Sequence, residues 1–262
     1  MSDYQIKLRS SELYVLAGAL GYKSLVGIEE NTLLKWQSEL RFKVQKTIHS
    51  LEKKKLIQIS LDGILFIDKD LKRAIDILCN AEYIGMFSCN IEKNRTETIY
   101  LTCDGVHNLI LKKVKDNKYL LTLTESLDSL DSLFEPFLRS ENNIHEFLLY
   151  EDAEYIKNLL FSFDDIGALD RTKKCVKDEN VAEDIISLVS GKSNFLNIQI
   201  HKKQGEVFVN SFNSFLAFIN GNTVELKLDK NKVLFVDTIK VDLIKNKVKS
   251  ILESDKGGAS NG

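Results

Sequence analysis

Residues 83–124, YIGMFSCNIEKNRTETIYLTCDGVHNLILKKVKDNKYLLTLT, decide how this chain is read. Apolar runs at 83–91, 97–103, 106–113 and 118–124 are punctuated by Asp104-Gly105 and Asp116-Asn117. Turn-forming pairs between apolar runs predict successive antiparallel strands. An amphipathic helix precedes them over Lys69–Ala81, where Leu71, Ala74, Ile75 and Leu78 share one face. A second helix follows over about 126–139, with Leu127, Leu130, Leu133, Phe134 and Phe137 on one side and Pro136 truncating its end.

The same order recurs further along. A helix over Asn180–Val189 leads into strands at about 195–201, 206–212, 215–219, 223–228 and 232–236, and a closing helix runs from Ile239 to Leu252. The offset is steady: Tyr83 to Phe195 is 112 residues, Asp116 to Asp229 is 113 and Leu127 to Ile239 is 112. The pattern predicts a duplicated helix–antiparallel sheet–helix unit with pseudo-twofold symmetry, an α+β body in which each half exposes an apolar sheet face for the other to cover. Between the halves, residues 144–177 read as one helix followed by an irregular loop. The tail from residue 255 to 262 carries no fold information.

Upstream, Leu13, Leu16, Ala17 and Leu20 predict a helix from Ser10 that stops at Gly21. Helical spacing resumes from Asn31 to Lys55 with a break near Ser38, and two apolar runs flank Leu61-Asp62-Gly63, a hairpin signal. Helices followed by a hairpin give a winged-helix-like module over 1–68. The expected organisation is therefore this module, a first half over 69–143, the inter-half segment over 144–177 and a second half over 178–254.

Composition limits the function. Of 262 residues, 44% are hydrophobic and 28% charged, and 36 basic residues against 38 acidic ones leave a net of −2, which excludes a nucleic-acid binder built on bulk charge. The four cysteines show no CxxC spacing, and neither a signal-peptide core nor a long apolar span is evident, so reduced thiols and a cytoplasmic location are expected. Cys103 and His107 fall four residues apart, too few ligands for a zinc site. Phosphate-binding glycine loops and the HExxH and GxSxG strings are missing. No catalytic residue, metal or cofactor is expected, and the chain reads as a non-enzyme.

Two readings remain. Between Lys35 and Lys55 seven basic residues stand against two acids, so a winged-helix DNA-binding regulator is the alternative. Over residues 1–68, however, ten basic and eight acidic residues nearly cancel, and nucleic acid is the less favoured partner. The other reading rests on aromatic clusters that suit protein contact: Phe208, Phe212, Phe215 and Phe218 in the second half, and Tyr155, Phe161 and Phe163 in the inter-half segment. Both parities of this strand pair, 206–212 and 215–219, are apolar, which predicts a sheet covered on two faces, by the protein's own helices or by a partner.

The run Leu8-Arg9-Ser10-Ser11-Glu12-Leu13-Tyr14-Val15-Leu16-Ala17, followed by Gly21-Tyr22-Lys23-Ser24-Leu25-Val26-Gly27-Ile28, resembles the start of Firmicute substrate-targeting proteins of the type VII secretion system. The duplicated body looks like that of the mycobacterial EspG chaperones, to which the EsaE-like Firmicute proteins are related. The resemblance implies a cytosolic chaperone that binds a secreted helical substrate or toxin, keeps it export-competent and delivers it to the secretion ATPase, with no small-molecule substrate and no membrane insertion.

Overall fold

A computed structural model describes residues 4–28, 40–92, 95–104, 107–115, 117–138, 145–161, 165–176, 179–190, 193–219, 222–228, 230–231 and 233–253. The chain opens with a strand that the helix-oriented reading overlooks, β1 (Tyr4–Arg9), in which Tyr4, Ile6 and Leu8 alternate with polar residues. Helix α1 (Ser10–Ala19) starts directly after it, and the Glu12 carboxylate accepts the Arg9 backbone N–H at 2.8 Å to close the first turn. Next come α2 (Leu40–Lys53) and a separate two-stranded sheet of β2 (Ile57–Ile59) and β3 (Leu65–Ile67), turned at Gly63. The expected helical segment over 31–39 lies outside the described residues.

Asp68 caps the next helix, α3 (Lys69–Asn80), by accepting the Leu71 N–H at 2.9 Å. Four antiparallel strands follow as predicted: β4 (Tyr83–Glu92), β5 (Arg95–Cys103), β6 (Asn108–Lys115) and β7 (Lys118–Thr124). The helix expected over 126–139 is instead one short helix, α4 (Asp131–Phe134), between two 3₁₀ turns, because Pro136 cannot continue an α-helical ladder.

The inter-half segment differs most from its reading. It opens with a strand, β8 (His145–Leu149), continues as α5 (Tyr150–Phe161) and then forms a second helix, α6 (Asp165–Cys175), where an irregular loop was expected. Tertiary pairing of β8 and packing of Ala168 and Ile156 in a shared core make the difference. Helix α7 (Glu179–Val189) then leads to β9 (Phe195–Gln204), β10 (Val207–Ile219), β11 (Asn222–Leu228), β12 (Val233–Thr238) and the closing α8 (Val241–Glu253). The runs at 206–212 and 215–219, expected as two strands, are one: a bulge between Asn210 and Phe212 absorbs the break.

Ten strands form a single antiparallel sheet in the order β1-β7-β6-β5-β4-β9-β10-β11-β12-β8. The halves thus meet edge to edge through β4 and β9, with Met86 opposite Gln199 and Cys89 opposite Leu196, rather than stacking their sheets face to face. An unpaired edge strand leaves a row of backbone donors and acceptors unsatisfied, and edge-to-edge joining satisfies two such rows at once. Residues 4–9 belong to this sheet too, since β1 pairs along β7 from Tyr4–Leu123 to Arg9–Lys118.

Three cores hold the layers together. On one face, the sheet centre (Phe87, Leu101, Leu196, Ile198, Ile200) packs under α4, its flanking turns and α8. On the other face, α1, α2 and α3 cover β6 and β7, whereas α5, α6 and α7 cover β10, β11 and β12. A close approach fixes the first of these layers: Gly27 lies at φ +71°, and a Cβ there would sit 2.8 Å from Tyr100 Cγ. Gly27→Ala is expected to cost about 2–3 kcal/mol in urea unfolding, combining left-handed strain with displacement of Tyr100; a cost under 1 kcal/mol would mean that the loop moves freely off β5.

Candidate partner-binding surface

Among the described residues, the helical layers on the second face leave part of the sheet centre between them, with Ile84 and Thr102 buried at one end of it. Helix α3 rests on β5, β6 and β7, and α7 rests on β10, so the strip along β4 and β9 lies between them. Strand registry gives the floor of this trough in three cross-strand rows: Thr98, Ser88, Asn197 and Phe215; then Tyr100, Met86, Gln199 and Asn213; then Thr102, Ile84, His201 and Asn210. Side chains alternate between faces, so the intervening Phe87, Cys89, Leu196 and Ile198 point the opposite way into the central core. Met86, Ser88, Asn197, Gln199 and His201 are half-buried, while Asn213 is exposed.

The strip between the helices is floored by β4 and β9, adjacent strands about 4.8 Å apart, with β5 and β10 running under α3 and α7 on either side. Ser88 Oγ and Thr98 Oγ1 lie 3.2 Å apart within hydrogen-bond reach, and Phe195 stacks on Phe215 at 5.4 Å with 16° between the rings, giving the trough one apolar end. The three rows contain no Lys, Arg, Asp or Glu, so the floor offers phosphates no permanent cation and suits a helix with small or apolar contacts.

The aromatic cluster of the second half does not form one surface. The bulge at 210–212 inverts strand parity, sending Phe208 to the trough face and Phe212 to the central core, with the Lys247 ammonium 4.9 Å over its ring. Phe215 packs in the third core from the trough side, and Phe218 falls on the side of Leu216, opposite the trough. Phe208 is 36% exposed at the end of the trough, beside exposed Val207 and Val209. There the β9–β10 hairpin outruns its neighbour, since β11 begins to pair only at Phe215. Among the described residues, the 207–214 edge faces no further strand.

In the inter-half segment, Tyr155 is 54% exposed on α5 with the Arg171 guanidinium 5.8 Å over its ring, and Arg171 is bound by Asp152. Phe163 and the side chain of Phe161 lie outside the described residues. The trough residues themselves, Ser88, Asn197 and Gln199, escape a sequence reading because polar residues on a strand look like any solvated face.

The candidate chemical residues do not converge. Cys103 is buried with its Sγ directed at the Leu252 carbonyl, 3.7 Å away, whereas His107 Nε2 lies 3.1 Å from the Arg73 guanidinium. Burial, reinforced by Asp76, pushes the Cys79 thiol up to about 12, and burial also raises Cys89 and Cys175, so none of the three is poised as a thiolate. Among the described residues no group of three or more His, Cys, Asp or Glu side chains is placed to hold a metal, and no helix is long and apolar enough to cross a membrane.

Comparison of the sequence with protein-family models and with curated proteins finds no match. Among solved structures, the chain is similar to the Mycobacterium tuberculosis type VII secretion system chaperone EspG5, solved in complex with a PE25–PPE41 dimer. The TM-score is 0.62 at 12% sequence identity, with 99% of each chain covered. The likeness extends over the whole length and shows that this chain has an EspG-like fold.

Proposed function

We propose that this protein is a non-enzymatic cytoplasmic chaperone that binds a helical substrate or toxin of a type VII secretion system and keeps it competent for export. The observation that carries this reading is the full-length fold likeness to a type VII secretion chaperone solved in complex with a PE25–PPE41 dimer. The trough between α3 and α7 supports it, because its floor offers a helical tip mixed polar and apolar contacts without a Lys, Arg, Asp or Glu. Exposed Phe208 at the end of the trough serves as a rim contact, and exposed Tyr155 on α5, beside the far edge strand β8, as a contact away from it. Delivery to the secretion ATPase is the expected next step of such a complex.

The strand order supports the duplication as well. It reads alike from both ends when β4–β7 are matched with β9–β12 and β1 with β8, and in each half a strand and helices precede the four-stranded run. A pseudo-twofold axis between β4 and β9 accounts for that order and places the trough on the axis.

Co-expression with helical secretion substrates, followed by size-exclusion chromatography, tests the function. A stable stoichiometric complex is expected. Ser88→Arg, which plants a long cation on the trough floor, is expected to weaken that complex at least 100-fold, about 2.7 kcal/mol, while leaving the melting temperature within about 2 °C. A complex that forms unaltered with Ser88→Arg removes the trough from the reading. If no helical secretion substrate co-elutes with the wild type, the chaperone reading itself fails.

A further inference from the structure

We propose that the cleft between the start of α1 and one flank of α2 is a binding site for a compact multivalent anion of the phosphate type. The cleft has a volume of about 400 Å³ and is lined by Arg9, Lys43, Lys46, His49 and Lys53, with Ser11 beside Arg9. Among the described lining residues the one carboxylate is Glu12. It is 1% exposed and already taken, accepting Lys54 Nζ at 2.7 Å on both oxygens, Ser50 Oγ at 2.9 Å and the Arg9 N–H at 2.8 Å. Four permanent cations therefore line a cavity whose one carboxylate among the described lining residues is neutralised from behind, with Glu52 reaching the lining His49 at 3.8 Å.

This is not the bulk character of the protein, whose net charge is −2. Lys43 and Lys46 stand three residues apart on one flank of α2 and Lys53 two turns further on, so an anion in the cleft lies among like charges. A concave wall concentrates the field that an exposed helix face would dissipate into solvent. Lysines of α2 line the space on one side and Arg9 at the end of β1 on the other. That arrangement fits an anion with oxygens in several directions, a phosphate or diphosphate, better than one planar carboxylate. The assignment does not depend on the substrate reading, since the cleft and the trough share no lining residue.

Calorimetric titration of the full chain with sodium diphosphate at constant ionic strength tests the site. Saturable one-to-one binding is expected, and the double variant Lys46→Glu, Lys53→Glu is expected to bind at least tenfold more weakly. Absence of saturable heat, or equal binding by the variant, overturns the proposal. Should the variant not fold, acetylation of the wild type decides: diphosphate is expected to protect Lys46 and Lys53, and equal labelling with and without it overturns the site. Co-sedimentation with phosphatidylglycerol vesicles that diphosphate abolishes identifies a lipid headgroup as the phosphate source; diphosphate binding without co-sedimentation identifies a free anion.

Discussion

Replacing Phe87 with alanine is expected to lower the unfolding free energy by about 3–5 kcal/mol, the range for emptying a large buried aromatic site. Phe87 is fully buried on β4, opposite Ile99 on β5 and Ile198 on β9, so its ring spans the strands through which the two halves join. A Cβ on Gly85 would lie 2.8 Å from Phe87 Cε2, which shows how closely the ring lies on the neighbouring backbone. Few side chains there can collapse into the vacated space, because Leu101, Leu196 and Ile198 are themselves fully enclosed in the same core. Urea unfolding should show one transition at a lower midpoint with unchanged slope. A loss below about 1.5 kcal/mol would indicate that the junction repacks, and two separated transitions would indicate that the halves fold independently of it.

Glu12→Ala is expected to cost about 2–3 kcal/mol, through loss of hydrogen bonds rather than of volume. It strands three donors: Lys54 Nζ, Ser50 Oγ and the Arg9 N–H. The figure stays below that of a wholly buried pair because Lys54 is 39% exposed and can turn to water. The two helices lose their polar clasp, since Glu12 stands in the first turn of α1 and Ser50 and Lys54 at the end of α2.

The same carboxylate makes stability depend on pH. Burial alone raises the Glu12 pKa, but the hydrogen bonds from Lys54, the Arg9 backbone and Ser50, with the charge of Lys54, outweigh it and hold the group below the ordinary glutamate range. A depressed carboxyl stabilises the fold fully above its unfolded pKa and ceases to do so as pH falls through the folded one. The difference between wild type and Glu12→Ala is therefore expected to be constant near neutrality and to shrink in acid below the glutamate range. A gap that instead widened in acid would show that Glu12 is protonated in the native state.

Much of this architecture is legible before any coordinates. Leu71, Ala74, Ile75 and Leu78 announce α3 because a 3.6-residue repeat has one burying solution, and Asp62-Gly63 announces a hairpin because Gly63 readily takes φ +79°. The four strands β4–β7 follow from their turns, whereas the second half reads as five strands and has four. The misreadings have local causes. In β8 the run Phe147-Leu148-Leu149 passes straight into the helical pattern of α5, so no break marks the strand's end. In β10 the polar cluster Asn210-Ser211 imitates a turn while forming a bulge, and that extra residue puts Phe208 on the face opposite Phe212, while plain alternation separates Phe215 from Phe212 and Phe218.

What the amino-acid order determined alone is the run from α3 through β7, the spacing near 112 residues between like patterns and the lack of a familiar catalytic string, since all three depend on neighbours within a few positions or on self-similarity. The tertiary structure decided that β4 and β9, more than 100 residues apart, become adjacent strands of one sheet, that polar Ser88, Asn197 and Gln199 line an open trough, and that cations from β1 and α2 line a common cleft. Long-range pairing is chosen by which backbone edges and apolar faces remain unsatisfied once every segment has folded, a property of the assembled layers that no single stretch of sequence encodes.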